Sequence, residues 1–338
     1  RQKAKGVNFG LCVEDSTPVL MADYTYKPIK DIVIGDTVMA FNDTGQIRPS
    51  SRALKEAEVL GVFSRDAACY EIVTEYGTVV STGDHQWLAM YPSAETWHWF
   101  ATSKLNPGHH IGFTISPDDI RWTENESYQI GYLTGVYAGD GWKRSGRFIF
   151  DKPDIEVANR CFDYLKSLGH TPVRWTRTLP SGVVMYGIRC DYRPDLAGKS
   201  IDKDWSAGFL AGMLDTDGHN GKRIVWFYNG NRHILDLTEM CLTRLGFEYS
   251  EYEALVGGKP AFTVNVLGGG LAIMQLLSRI RPSVLRKQKN RVAPIPMTAE
   301  ILSITKVGLR HVADIKTTAG TFIANGFTSH NCYGMGPD

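Results

Sequence analysis

Around residue 330 the sequence reads Ser329-His330-Asn331-Cys332, an order of side chains that can break a peptide bond without outside help. An asparagine amide can attack its own backbone carbonyl and expel the next residue. The step is slow unless the carbonyl is polarised and the leaving amine protonated, and a histidine with an ordinary pKa of ~6.5 can do both near neutral pH. Of the six cysteines, Cys12 and Cys332 stand out by their neighbours; Cys69, Cys161, Cys190 and Cys241 are scattered, form no CxxC pair and read as buried apolar residues.

A second set of candidates lies mid-chain. IGYLTGVYAGDG (130–141) aligns without gaps to AGFLAGMLDTDG (207–218), an offset of 77, and Phe150/Phe227 and Leu168-Gly169/Leu245-Gly246 keep the same offset. A shared offset over so many positions indicates a duplicated α/β unit. Each motif has helical spacing and ends in Asp-Gly. Gly135, Ala138, Gly139, Ala211 and Gly212 would let the two helices approach closely, and Gly141 and Gly218 suit a left-handed residue past a helix end. Asp140 and Asp217 would then sit together at two helix C-termini, where the dipole is already negative. Such a pair requires a compensating cation; Mg2+, a hard ion bound by oxygen, fits and can activate water beside a phosphodiester.

The elements that must position these residues alternate along the chain. Residues 12 to about 112 read as short strands and turns, with a hairpin near Tyr76-Gly77; 297–331 repeat that style; about 120–292 mix helix and strand. The 338 residues accommodate two or three compact units. No apolar run has the ~18–20 residues of a membrane span, and RQKAKGVNFG has no signal-peptide core, so a cytoplasmic setting is expected. The net charge of +1 does not announce a nucleic-acid binder. The basic run 278–291 reads either as a solvated helix face or as a phosphate contact.

LTGVYAGDG (133–141) and LAGMLDTDG (210–218) resemble the two motifs of LAGLIDADG homing endonucleases. That resemblance implies two pseudo-symmetric αββαββα-type halves, a saddle of strands over double-stranded DNA and catalytic metal held by Asp140 and Asp217. It also implies a monomeric enzyme assisted by Lys199, with Lys287 or Lys289 as the counterpart in the second half. The outer pieces resemble an intein. Cys12 begins the N-terminal block, Thr82 and His85 form its T-x-x-H block, and HVADIKTTAGTFIANGFTSHN (311–331) resembles the two C-terminal blocks, with Asp314 in the acidic position.

The resemblance implies a multidomain chain: an all-β, horseshoe-shaped Hint splicing domain in two parts (12–115 and 296–331) around an α/β endonuclease (120–292). Cys12 would attack the Leu11 carbonyl, with Thr82 holding the scissile bond and His85 protonating the departing nitrogen. Cys332 would take over the acyl group, Asp314 would orient the thiols, and Asn331 would cyclise with help from His330. Gly320 stands where many inteins have a histidine, so cyclisation is expected to be slower, or His311 to substitute. Joining 1–11 to 332–338 gives R-x-x-x-K-x-x-x-F-G-x-x-Y-G, which resembles the fingers motif of family A DNA polymerases; the two flanks would be pieces of that host, and its intein-less gene the DNA target. The alternative is a splicing-competent intein whose endonuclease has become inert.

Overall fold

The computed structural model describes residues 11–41, 54–94, 96–120, 122–141, 147–196, 201–221, 224–256, 259–288 and 297–331. They fall into two compact units, Arg1–Ile120 with Val292–Asp338, and Arg121–Arg291. The first opens with β1 (Val13–Glu14), β2 (Pro18–Leu20), β3 (Tyr26–Pro28), β4 (Thr37–Phe41) and the long β5 (Leu54–Thr74). It continues with β6 (Gly77–Thr82), β7 (Gln86–Met90), β8 (His98–Ala101) and β9 (His110–Phe113). The second unit holds α1 (Glu126–Asp140), β10 (Phe148–Lys152), α2 (Ile155–Ser167), β11 (Val173–Thr178), β12 (Val184–Cys190) and α3 (Lys203–Asp215). It ends with β13 (Gly218–Asn220), β14 (Val225–Asn229), α4 (Arg232–Arg244), β15 (Tyr249–Val256), β16 (Lys259–Val266) and α5 (Gly269–Ile280). The chain then returns to the first unit with β17 (Met297–Thr317), β18 (Thr321–Ala324) and β19 (Phe327–His330).

The described part of the first unit is all β apart from short 3-10 turns at Ile29–Asp31, Thr102–Lys104 and Pro117–Ile120. Its strands follow the order β3-β2-β18-β19-β7-β9-β17-β1-β6-β5-β4, with β8 paired to β7 and further β19–β9 and β17–β5 pairings. Thr74 pairs with Gly77, so Glu75-Tyr76 forms the tight turn of the expected hairpin, and Gly77 takes φ +141, which a side chain would resist. β1 is wedged between β17 and β6: Val13 faces Ala313 on one side and Ser81 on the other. Residues at opposite ends of the sequence thereby become neighbours around a core of Val13, Trp87, Phe113, Phe322 and Phe327.

The second unit is α/β and its duplication extends well beyond the motifs. Shifted by 77, β10 falls on β14 and α2 on α4, residue for residue. The sheets β10-β12-β11 and β14-β16-β15 have matching order, and β13 adds a strand to the second. Both motif helices begin at equivalent caps: Asn125 accepts from Tyr128 N–H (3.0 Å) and Asp202 from Trp205 N–H (2.7 Å). Between α1 and α3 the backbones touch. A Cβ on Gly131, Gly135, Gly208 or Gly212 would run into the backbone of the facing helix. Gly141 and Gly218 serve differently from the expected left-handed caps: Gly141 has φ −64 and Gly218 is absent from the positive-φ glycines. Each is instead pressed against the last turn of its own helix, at Tyr137 and Leu214, where a side chain has no room. No described helix is long and apolar enough to cross a membrane.

Candidate functional site

The first unit gathers the junction residues from β6, β17, β19 and the residues that flank β1, β7 and β19. Cys12, Thr82, His85, Asp314, His330 and Asn331 are all at most 4% exposed. Thr82 grips Cys12 through both backbone groups: its Oγ1 accepts from Cys12 N–H (3.2 Å) and its own N–H donates to Cys12 O (2.9 Å). A turn closed by His85 N–H on Thr82 O (3.2 Å) puts the imidazole beside the same junction. Burial, far more than the nearby His330, drives the His85 pKa down to about 3, while the Leu11 carbonyl alongside opposes the shift. His85 is therefore neutral in the resting chain, and any proton it delivers comes from a neutral N–H. Asp314 lies one register step beyond the Val13–Ala313 pair, which sets it opposite Cys12 across β17 and β1.

At the other junction His330 Nδ1 lies 2.6 Å from Asn331 O, the carbonyl that cyclisation must attack. The ring is held edge-on by Trp99, centroids 4.8 Å apart. Oriented to satisfy both of its groups, the Asn331 carboxamide donates Nδ2–H to Gly320 O (2.7 Å) and accepts from Thr317 N–H (2.8 Å). Gly320 has φ +76, and its carbonyl also accepts Asn331 N–H (3.1 Å). Backbone groups of Thr317 and Gly320 thus hold the amide. His311 does not substitute: it is exposed and paired with exposed Asp66 (2.9 Å). Ser329, missed in the sequence because a lone serine carries no signal, touches His85 Nε2 (2.9 Å). Cys332 lies outside the described residues.

In the second unit the glycine-lined contact brings the ends of α1 and α3 together. Gly139 abuts the Asp217 carboxyl, since a Cβ there would lie 3.4 Å from Asp217 Cγ. Lys152 Nζ pairs with Asp140 (2.6 Å) and reaches toward Thr216 O (3.5 Å). At the position equivalent to Lys152, Asn229 donates to Asp217 (2.8 Å). Among the described residues no three His, Cys, Asp or Glu side chains group as a metal site. The two motif carboxylates, on residues that end the paired helices, still suit Mg2+, which commonly takes one or two carboxylates and completes its shell with water and substrate phosphate. Lys199 and Lys289 lie outside the described residues.

Lys287 does not face this pair as an open catalytic base would. Its ammonium is buried and donates to the carbonyls of Leu214 (2.6 Å), Asp215 (3.1 Å) and Gly218 (2.9 Å), capping the negative end of α3. Burial lowers its pKa to about 8. The neighbouring basic residues are also engaged: Arg279 donates to Leu245 O, Arg281 to Ser278 O, and Arg286 pairs with Asp154. The described part of the basic run is thus neither a free helix face nor an open phosphate clamp.

Residues 204–273 match the family model of a LAGLIDADG-like domain. Among solved structures the chain is similar to a DnaB intein from Synechocystis sp. PCC 6803, at 11% identity and TM-score 0.37, with 95% of this chain and 98% of that one covered. It is also similar to mesophilic variants of the homing endonuclease I-DmoI, at 17% identity and TM-score 0.38 over 48% of this chain and 99% of that one. A third similar structure, I-DmoI in complex with DNA and Ca, gives 16% identity and TM-score 0.36 over 43% and 85%. No curated protein sequence matches.

Proposed function

We propose that the chain is a self-splicing intein that carries a LAGLIDADG-type homing endonuclease. The observation that carries the splicing reading is the convergence of both junctions: Thr82 and His85 on Leu11–Cys12, and His330 on the Asn331 carbonyl, in one buried sheet. Cys12 Sγ attacks the Leu11 carbonyl; the C–N bond breaks, and the Cys12 nitrogen gains a proton by way of His85, leaving a thioester and a free amine. Cys332 exchanges onto that thioester and frees the Cys12 thiol. Asn331 Nδ2, held by Gly320 O, attacks its own carbonyl and expels the Cys332 nitrogen, which His330 protonates. The released amine displaces sulfur, leaving a Leu11–Cys332 peptide bond. Asp314, opposite Cys12, orients the thiols. Splitting one exchange into four steps lowers each barrier.

The second activity is cleavage of double-stranded DNA by the monomeric α/β unit. Asp140 and Asp217 would hold Mg2+, which supplies an activated water and charge neutralisation. Lys199 would assist. Arg189, Trp226, Tyr228 and Tyr252 are exposed on the strands of the two sheets, a cation and flat rings of the kind that bind nucleic acid. Flanks 1–11 and 332–338 would belong to a family A DNA polymerase, and its intein-less gene would be the target. One contact favours the alternative of an inert endonuclease: Lys152 supplies Asp140 with a built-in cation.

Mass spectrometry of the expressed chain tests splicing. A peptide joining 1–11 to 332–338 and a free 12–331 product are expected, and Cys12→Ala should abolish the ligated peptide. A chain that stays whole would reject the reading. Incubation of intein-less target DNA with Mg2+ separates the two endonuclease readings: cuts that vanish in Asp217→Asn support activity, and intact DNA supports the inert form.

A further inference from the structure

Ser329 is fully buried on β19, between the two junctions. Its hydroxyl lies 2.9 Å from Nε2 of His85, also fully buried, and 3.5 Å from His330 O. Nδ1 of His85 makes no hydrogen bond among the described residues, and the Leu11 carbonyl lies beside the ring. A neutral imidazole has one N–H, and a hydroxyl has one proton. Two arrangements follow. In one, Ser329 donates to Nε2 and His85 carries its proton on Nδ1. In the other, Nε2–H donates to Ser329, the hydroxyl turns to the more distant His330 O, and bare Nδ1 sets its lone pair against the Leu11 carbonyl. Both keep the 2.9 Å serine–histidine contact, but only the first aims a donor at the N-terminal junction.

We propose that Ser329 is a positioning residue that fixes the Nδ1–H tautomer of His85 and so aims its proton at the Leu11–Cys12 bond. This rests on the splicing reading. It also ties the two junctions together, because the serine that sets the first catalyst precedes His330 and Asn331 on the same strand. Movement of the C-terminal junction then reaches His85 through one hydroxyl.

The test uses the full chain. In an Asn331→Ala background, Ser329→Ala should slow thiol-induced cleavage at Leu11–Cys12 by at least about ten-fold, within the usual reach of acid–base positioning. Ser329→Thr, which keeps the hydroxyl, should restore most of that rate. In a Cys12→Ala, Asn331→Ala precursor, 15N NMR should find the His85 proton on Nδ1, with that preference weakened in Ser329→Ala. A wild-type proton on Nε2, an unchanged tautomer preference in Ser329→Ala, or a Thr variant as slow as Ala would overturn the proposal. If the parent chain never cleaves at Leu11–Cys12, the splicing reading fails, while the NMR signature still decides the role of Ser329.

Discussion

The two halves of the α/β unit share a backbone and differ in their polar chemistry. Gly131 and Gly135 of α1 have their counterparts in Gly208 and Gly212 of α3, and all four lie where the facing backbone leaves no space. At the end of each helix the likeness stops. Ala138 is buried in the first half; at the equivalent place Asp215 accepts from Tyr132 OH (2.7 Å), Ser283 N–H (2.7 Å), Ser283 OH (2.7 Å) and Val284 N–H (3.0 Å). Lys152 neutralises Asp140, whereas Asn229 only hydrogen-bonds Asp217. Close packing leaves no tolerated substitute at an interface glycine, so duplication preserves it. A polar position can change partners as long as each buried group keeps one.

The sharpest way to break this comparison is to attack the shared interface from both sides. Gly135→Val and Gly212→Val should each cost more than about 4 kcal/mol, because the helices must separate rather than adjust side chains. Equal losses support equivalent roles. The measurement is chemical denaturation of a chain kept unspliced by Cys12→Ala and Asn331→Ala; a loss confined to one variant would show that the symmetry is only topological. Next in size is Asp215→Ala, expected to cost about 3 kcal/mol by leaving buried donors unanswered. Ala138→Ser, at the matching position, should cost less than half as much. If Asp215→Ala is neutral, the Ser283–Val284 segment is not anchored by that carboxylate.

The sequence carried the parts of this that repeat or that announce a reaction. The offset of 77 exposed the duplication, and the spacing of Gly135 and Gly212 exposed the helix contact. Gly131 and Gly208 were passed over because they stand ahead of the motif proper. Ser329 was invisible because its partner His85 is 244 positions away, and no local pattern encodes a hydrogen bond at that range. The pairing of Lys152 and Asn229 with the two motif aspartates was equally hidden: each sits at the end of a strand 12 residues beyond its aspartate. Gly141 and Gly218 were recognised as necessary for the wrong reason, since crowding and a positive φ leave the same letter in a sequence.

Lys287 offers a pH-dependent test of what only the second half possesses. Its pKa falls from an ordinary 10.5 to about 8 on folding, chiefly by burial. Between those values the unfolded chain binds the extra proton, so stability should rise as pH increases from 8 toward 10.5, where the unfolded lysine also becomes neutral. The stability difference between the parent chain and Lys287→Met should shift in favour of the parent by about 1–3 kcal/mol across that window. A difference that stays flat would mean that burial does not depress the Lys287 pKa, its cost being offset by the three carbonyls or by solvent.

The smallest effect separates the two aspartates themselves. The Lys152–Asp140 pair is partly solvated, with side chains 22% and 28% exposed, so its contribution should not exceed about 1 kcal/mol. Lys152→Met should then leave thermal stability nearly unchanged but strengthen Mn2+ binding, read by electron paramagnetic resonance without DNA, by roughly five-fold. Asn229→Lys should do the reverse, building on Asp217 the ion pair that Asp140 already has. If both variants bind Mn2+ as the parent does, Lys152 leaves the carboxylates open to metal, and the contact that favours an inert endonuclease loses its force.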